Sequence, residues 1–91
     1  MEKTYWVYIL RCGDGTLYTG MTDDLPRRLE MHRSGKGAKY TRGRAPLEPV
    51  YREDCETMSA ALKREYAIKR LSRAEKLALI EQHQYTTPAD A

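Results

Sequence analysis

Long apolar runs, cysteine pairs, metal-spaced histidines and internal repeats are all missing from this chain, and each absence excludes something. No stretch of the 91 residues is both long and apolar enough to span a bilayer, which takes about 20 consecutive apolar residues. The N-terminal Met-Glu-Lys-Thr-Tyr-Trp enters a strand-like run at once and lacks the small-residue cleavage site of a signal peptide, so a cytoplasmic protein is expected. Only two cysteines are present, Cys12 and Cys55, with no Cys-x-x-Cys pair, and His32 and His83 stand at no metal-site spacing from them. This argues against zinc and for free thiols in a reducing compartment. There is no repeat and no low-complexity segment.

What is present fits one small domain with one modest core. A hydrophobic content of 41% and a charged content of 32% are those of an ordinary globular chain. The net charge of +3 says little by itself, but its distribution is uneven. Residues 25–46 carry Arg27, Arg28, Arg33, Lys36, Lys39, Arg42 and Arg44 against Glu30 alone, whereas the segments on either side are slightly acidic. One basic segment in a nearly neutral background is suited to a phosphate-bearing partner, the competing reading being a solvated loop.

Tyr5 to Arg11 is rich in aromatic and β-branched residues and reads as a strand, with Thr16 to Thr22 as its partner. In "TDDLPRRLEMHRSG", Asp23 or Asp24 can cap a helix, Pro26 suits its first turn and Gly35 stops it. Lys36 to Pro46 is a loop, and Val50 to Glu53 reads as a third strand, with Pro49 placing it at a sheet edge. Thr57 can cap a second helix, "MSAALKREYAIKRL", and Ser72-x-x-Glu75 is a capping box that opens a third helix through about His83. The predicted fold is α+β (an α/β sandwich), order β-β-α-β-α-α, with a small three-stranded antiparallel sheet flanked by three helices. Residues 1–83 form the expected domain, and residues 84–91 have little to bury and are expected to be a flexible tail.

The hairpin holds a tyrosine in each arm, Tyr8 and Tyr18, and strand parity decides whether they share a face. A two-residue Asp14-Gly15 turn sets Arg11 opposite Tyr18 and puts the two tyrosines on opposite sides. A three-residue Gly13-Asp14-Gly15 loop with left-handed Gly15 sets Leu10 opposite Tyr18 and Tyr8 opposite Gly20, so both point the same way, with open space over Gly20. The Asp-Gly dipeptide alone does not choose.

On a helical wheel Met58, Ala61, Leu62 and Ile68 fill one arc of the second helix, with Glu65 near its middle and Lys69 inside it. A carboxylate there faces a core or cleft, or forms an i,i+4 pair with Lys69. At a cleft edge it suits a hard divalent cation. On the first helix Leu25 and Leu29 make the apolar stripe, and Arg28 and His32 lie four apart along its edge. A guanidinium there can hold phosphate, or snorkel over apolar neighbours; the histidine can equally be structural.

Together these residues resemble a known pattern. Trp6-Val7-Tyr8 stands where the GIY-YIG nuclease domains have Gly-Ile-Tyr, and Tyr18-Thr19-Gly20 stands where they have Tyr-Ile-Gly. "TDDLPRRLEMH" resembles their arginine-bearing helix, "KREYAIKRL" their glutamate-bearing helix, and "GKGAKYTRG" a loop of the small stand-alone bacterial branch. The likeness covers nearly the whole chain. It implies the three-residue hairpin loop, with both tyrosines on one face beside the arginine and the glutamate.

The resemblance further implies an endonuclease that hydrolyses phosphodiesters in nucleic acid, DNA in repair or recombination being the expected substrate. Its catalytic set is Tyr8 as general base, Tyr18, Arg28, His32 and Glu65, with Glu65 holding Mg²⁺ (or Mn²⁺). Gly20 is the steric element of the site. A phenol titrating near pH ~10 is a poor base at neutral pH unless nearby cations favour its phenolate. Lys36, Lys39, Arg42 and Arg44 would track the nucleic-acid backbone, and Tyr40 is a candidate for stacking on a base. The rival reading is a non-catalytic nucleic-acid-binding accessory that uses the basic loop 33–44. A homodimer or a protein partner is compatible with a chain this small, and no membrane partner is expected.

Overall fold

A computed structural model of the protein describes residues 3–83. Its elements are β1 (Tyr5–Arg11), β2 (Leu17–Thr22), α1 (Leu25–Arg33), a 3-10 turn (Lys39–Thr41), β3 (Glu48–Cys55), α2 (Met58–Lys69) and α3 (Arg73–Gln82). The proposed tail, residues 84–91, lies outside the described residues. The order is the expected β-β-α-β-α-α, and the antiparallel sheet runs β2-β1-β3. No helix among the described residues is long and apolar enough to cross a membrane.

Local chemistry explains the boundaries. The Asp24 side chain accepts from the Arg27 N–H at the start of α1, and Gly35 follows its end with a φ of 80°. Thr57 caps α2 by accepting from Ala60 N–H, and both halves of the Ser72/Glu75 capping box are formed on α3. β3 is longer than the predicted Val50–Glu53. Backbone pairing with β1 continues from Tyr5 opposite Cys55 to Arg11 opposite Glu48, whatever the polarity of the outer side chains. Pro49 sits inside this edge strand, where the register shifts between Ile9 and Leu10.

The two sheet faces hold different cores. Val7, Ile9 and Tyr51 point to one side and pack with Ala61 and Ile68 of α2, joined by partly buried Leu79 and Ile80 of α3. Tyr8 and Leu10 point to the other side and pack with Leu25 of α1, together with Trp6, Tyr18, Leu29 and Leu47. Arg64 of α2 donates through Nε to both carboxylate oxygens of Glu53 at 2.7 and 2.9 Å, and Tyr51 Oη donates to the same carboxylate, so α2 is pinned to β3 by a charged contact as well as an apolar one.

The α2 wheel requires a correction. Ala61 and Ile68 are fully buried, but Met58 and Leu62 are 51% and 47% exposed. The helix rolls toward Arg64 to reach Glu53, which turns Met58 and Leu62 outward and moves Glu65 from the centre of the stripe to its border.

Thr19 lies on the α2 side, opposite Ile9, and its Oγ1 is buried without a hydrogen-bond partner. A buried hydroxyl left unpaired costs about 1–3 kcal/mol. Thr19→Val keeps the shape and removes the hydroxyl, so it should stabilise the protein by roughly 1 kcal/mol in urea unfolding. A variant less stable than wild type would show that the hydroxyl is satisfied in solution.

Candidate active site

The hairpin turn decides the geometry of the site. Cys12 N–H donates to Thr16 O and Gly15 N–H to Cys12 O, both at 2.9 Å, and Gly15 has a φ of 85°. This is the three-residue loop, with Leu10 opposite Tyr18 and Tyr8 opposite Gly20. Both tyrosines therefore project from the α1 face, with ring centroids 6.3 Å apart. The space over Gly20 is not open, because the Tyr8 phenol fills it. A Cβ added at Gly20 would lie 2.5 Å from Tyr8 Oη, so the glycine is what lets the phenol lie across β2.

α1 lays His32 against both rings, at centroid distances of 5.8 Å from Tyr8 and 5.3 Å from Tyr18. The histidine is buried rather than placed at the edge of the apolar stripe. Its Nε2 is 2.8 Å from Tyr8 Oη and its Nδ1 is 3.0 Å from Thr41 Oγ1. One turn earlier, Arg28 reaches toward the phenol oxygens of Tyr8 and Tyr18, and these hydrogen-bonding interactions hold its guanidinium above the ordinary arginine range. The Glu65 carboxylate is close enough for its charge to act on Tyr8. Its side chain is 20% exposed and pairs with Lys69 at 3.4 Å, the alternative that the i,i+4 spacing had offered. A cleft of about 440 Å³ opens beside Arg28, lined also by Arg27, Met31, Met21 and Met58.

Burial pushes the Tyr8 phenol up to about 12, which outweighs the opposing influence of Arg28. Arg28 alone therefore does not favour the phenolate, and beside it Tyr8 is a neutral phenol at pH 7. Burial, with the Arg28 charge second, pushes His32 down to about 4, so its imidazole is neutral as well.

The basic loop divides its residues between two tasks. Arg44 forms an ion pair with Asp14, donates to Tyr40 O at 2.7 Å and lies 4.4 Å over the Tyr40 ring, while its own carbonyl accepts from Gly13 N–H. It clamps the loop onto the hairpin turn. Tyr40 also stacks with Tyr18 at 5.9 Å, so its ring is already engaged on the protein. Lys36, Lys39 and Arg42 are exposed.

A family model described as the GIY-YIG catalytic domain matches residues 4–78. The chain belongs to the GIY-YIG family. GIY-YIG domains are endonuclease domains, and the relatives are small proteins that consist of little else. A UPF0213 protein of Oceanobacillus iheyensis is 56% identical over 81 residues, which cover 89% of this chain and 94% of that one. The solution NMR structure of the UPF0213 protein BH0048 from Bacillus halodurans matches with a TM-score of 0.58 and 47% identity, over 87% of this chain and 84% of that chain. The solution NMR structure of the protein EF2693 from E. faecalis matches with a TM-score of 0.60 and 38% identity, over 96% and 98%.

Two residues of this GIY-YIG site escape a reading of the sequence alone. Thr41 is buried on His32 Nδ1, and Gly37 leaves no room for a side chain, since a Cβ there would lie 2.3 Å from the same nitrogen. The available signal was a lone threonine inside a basic, glycine-rich loop.

A histidine whose folded pKa is depressed stabilises the protein fully above its unfolded pKa of about 6.5, and that stability is lost as pH falls toward the folded value. For His32 the window runs from about 6.5 down to about 4. Wild type should therefore lose up to about 3 kcal/mol more than His32→Gln over this window in urea unfolding. Parallel pH profiles for the two proteins would refute this account of the buried imidazole.

Proposed function

We propose that the protein is a metal-dependent endonuclease that hydrolyses phosphodiester bonds in nucleic acid, with DNA in repair or recombination as its natural substrate. The observation that carries this reading is the convergence of Tyr8, Tyr18, Arg28 and His32 on one sheet face within the field of the Glu65 carboxylate. A surface that only holds nucleic acid has no use for a buried phenol-imidazole pair beside an acid.

Glu65 would hold the metal. Among the described residues no group of three or more histidine, cysteine, aspartate or glutamate side chains stands together as a metal cage. A single hard carboxylate nevertheless fits Mg²⁺ (or Mn²⁺), which takes one or two protein carboxylates and completes its shell with water and substrate phosphate. Lys69 would give up its pairing with Glu65 as the cation enters. When bound, the metal supplies charge stabilisation to the phosphate and to the departing oxygen.

The chain's own groups handle the proton and the phosphate. Arg28 holds a non-bridging oxygen, and Tyr18 flanks the same position. Tyr8, being a neutral phenol, acts as a relay. The attacking water gives its proton to Tyr8 Oη as the Tyr8 proton passes to His32 Nε2. The new P–O bond forms while the bond to the leaving oxygen breaks, and that oxygen takes a proton from solvent. A phosphate anion seated on Arg28 offsets the charge that lowers the basicity of His32, so substrate binding itself prepares the acceptor. Lys36, Lys39 and Arg42 track the backbone through salt-sensitive contacts, while Arg44 and Tyr40 brace the loop.

The test is binding and cleavage of single-stranded, duplex and branched DNA across a salt series, with and without Mg²⁺. Mg²⁺-dependent cleavage is expected. Salt-sensitive binding without cleavage on every substrate would favour the accessory-module reading, and absence of binding would sink both.

Two variants test the assignments. Glu65→Ala should abolish metal-dependent cleavage and leave thermal unfolding nearly unchanged; cleavage that persists in highly purified protein would remove Glu65 from the metal site. Tyr8→Phe should lower kcat by roughly 10²- to 10⁴-fold, the usual contribution of a positioned acid-base group, with little change in binding. Equal loss of turnover and affinity would assign the hydroxyl a structural role.

A further inference from the structure

The loop between α1 and β3 brings one buried hydroxyl to the back of the imidazole. Thr41 Oγ1 lies 2.9 Å from Ala38 O and 3.0 Å from His32 Nδ1, and both Thr41 and His32 are buried. A threonine hydroxyl has one proton, and a carbonyl oxygen can only accept. If that proton pointed at His32, the Thr41 and Ala38 oxygens would face each other 2.9 Å apart with lone pairs alone, inside a buried site. Thr41 Oγ1–H therefore donates to Ala38 O, and the nitrogen facing Oγ1 must be the donor. A neutral imidazole carries one N–H, so Nδ1 is protonated and Nε2 presents its lone pair to Tyr8 Oη at 2.8 Å.

Tyr8 supports the same assignment. With Nε2 bare, the Tyr8 proton has an acceptor at 2.8 Å and the phenol oxygen stays open to the charge of the nearby Arg28. The opposite tautomer would turn an N–H toward the phenol oxygen and leave the Tyr8 proton without its acceptor, because His32 is the side chain hydrogen-bonded to that hydroxyl among the described residues. The backbone holds the threonine in place: Thr41 N–H donates to Ala38 O at 3.1 Å, Arg44 N–H to Thr41 O at 3.2 Å, and Gly37 lies against the ring with no side chain between.

We propose that Thr41 is a positioning residue which fixes the Nδ1–H tautomer of His32 and so keeps Nε2 open to the Tyr8 proton. The kinetic consequence rests on the nuclease reading above; the tautomer itself is a property of the resting protein.

The test is long-range ¹H–¹⁵N correlation NMR of the His32 imidazole at pH 7 in the full chain, for wild type, Thr41→Val and Thr41→Ser, alongside Mg²⁺-dependent DNA cleavage. Wild type should show a protonated Nδ1 and a bare Nε2. Thr41→Val keeps the shape without the hydroxyl, and should move His32 toward the Nε2–H form. It should also lower kcat by roughly 10- to 100-fold, the scale seen when an imidazole loses the partner that orients it, with KM within about twofold. Thr41→Ser should restore both the spectrum and kcat. A wild-type spectrum with Nε2–H overturns the proposal even if the valine variant fails to fold, and so does a folded valine variant with wild-type nitrogen shifts and kcat. An Nδ1–H wild type that cleaves nothing overturns the nuclease reading and leaves the tautomer assignment standing.

Discussion

The hydrogen bond between Tyr8 Oη and His32 Nε2 is the contact on which the site depends. It joins the central strand to α1 across a buried interface, and both partners are nearly inaccessible to water. Its existence requires the hairpin register that points Tyr8 toward α1, and a glycine at position 20 over which the phenol can lie. Once His32 is seated, helical spacing places Arg28 one turn earlier on the same side of α1, beside the cleft that it lines with Met21 and Met31. A phenol on the sheet and a guanidinium on the helix are thereby set by one contact.

Much of the fold could be read directly because its signals are local. Asp24, Thr57 and the Ser72/Glu75 pair are caps whose partners lie within three residues, and each forms as the sequence suggests. The hairpin turn was different. Asp14-Gly15 suits two loop lengths, and the decision rests on how Tyr8 and Tyr18 pack against a helix later in the chain, which a dipeptide does not encode. The same holds for α2. Periodicity placed Met58 and Leu62 inward, but the long-range contact from Arg64 to Glu53 rotates the helix, and no wheel drawn for one segment contains that partner.

The site was legible to the extent that chemistry sits in regular elements. Tyr8, Tyr18, Arg28 and His32 lie together on one sheet face, and the charge of Glu65 acts on Tyr8. Thr41 and Gly37 escaped because their part depends on how an irregular loop closes over the ring. The protonation states also lay beyond the sequence. Burial, which depends on the finished tertiary structure, makes Tyr8 a weaker acid and His32 a weaker base than their composition suggests. A basic segment that looked uniform likewise divides, with Arg44 held by Asp14 while Lys36, Lys39 and Arg42 face outward.

The Asp14–Arg44 pair has a mechanical meaning. Together with the hydrogen bond from Gly13 to the Arg44 carbonyl, it moors the tip of the hairpin to the strand-linking loop, and that loop touches the imidazole through Thr41. The far end of the β1–β2 ribbon is thus linked through one loop to the buried imidazole. That ion pair is open to solvent, so rising ionic strength weakens the tether between the hairpin turn and the loop behind the imidazole.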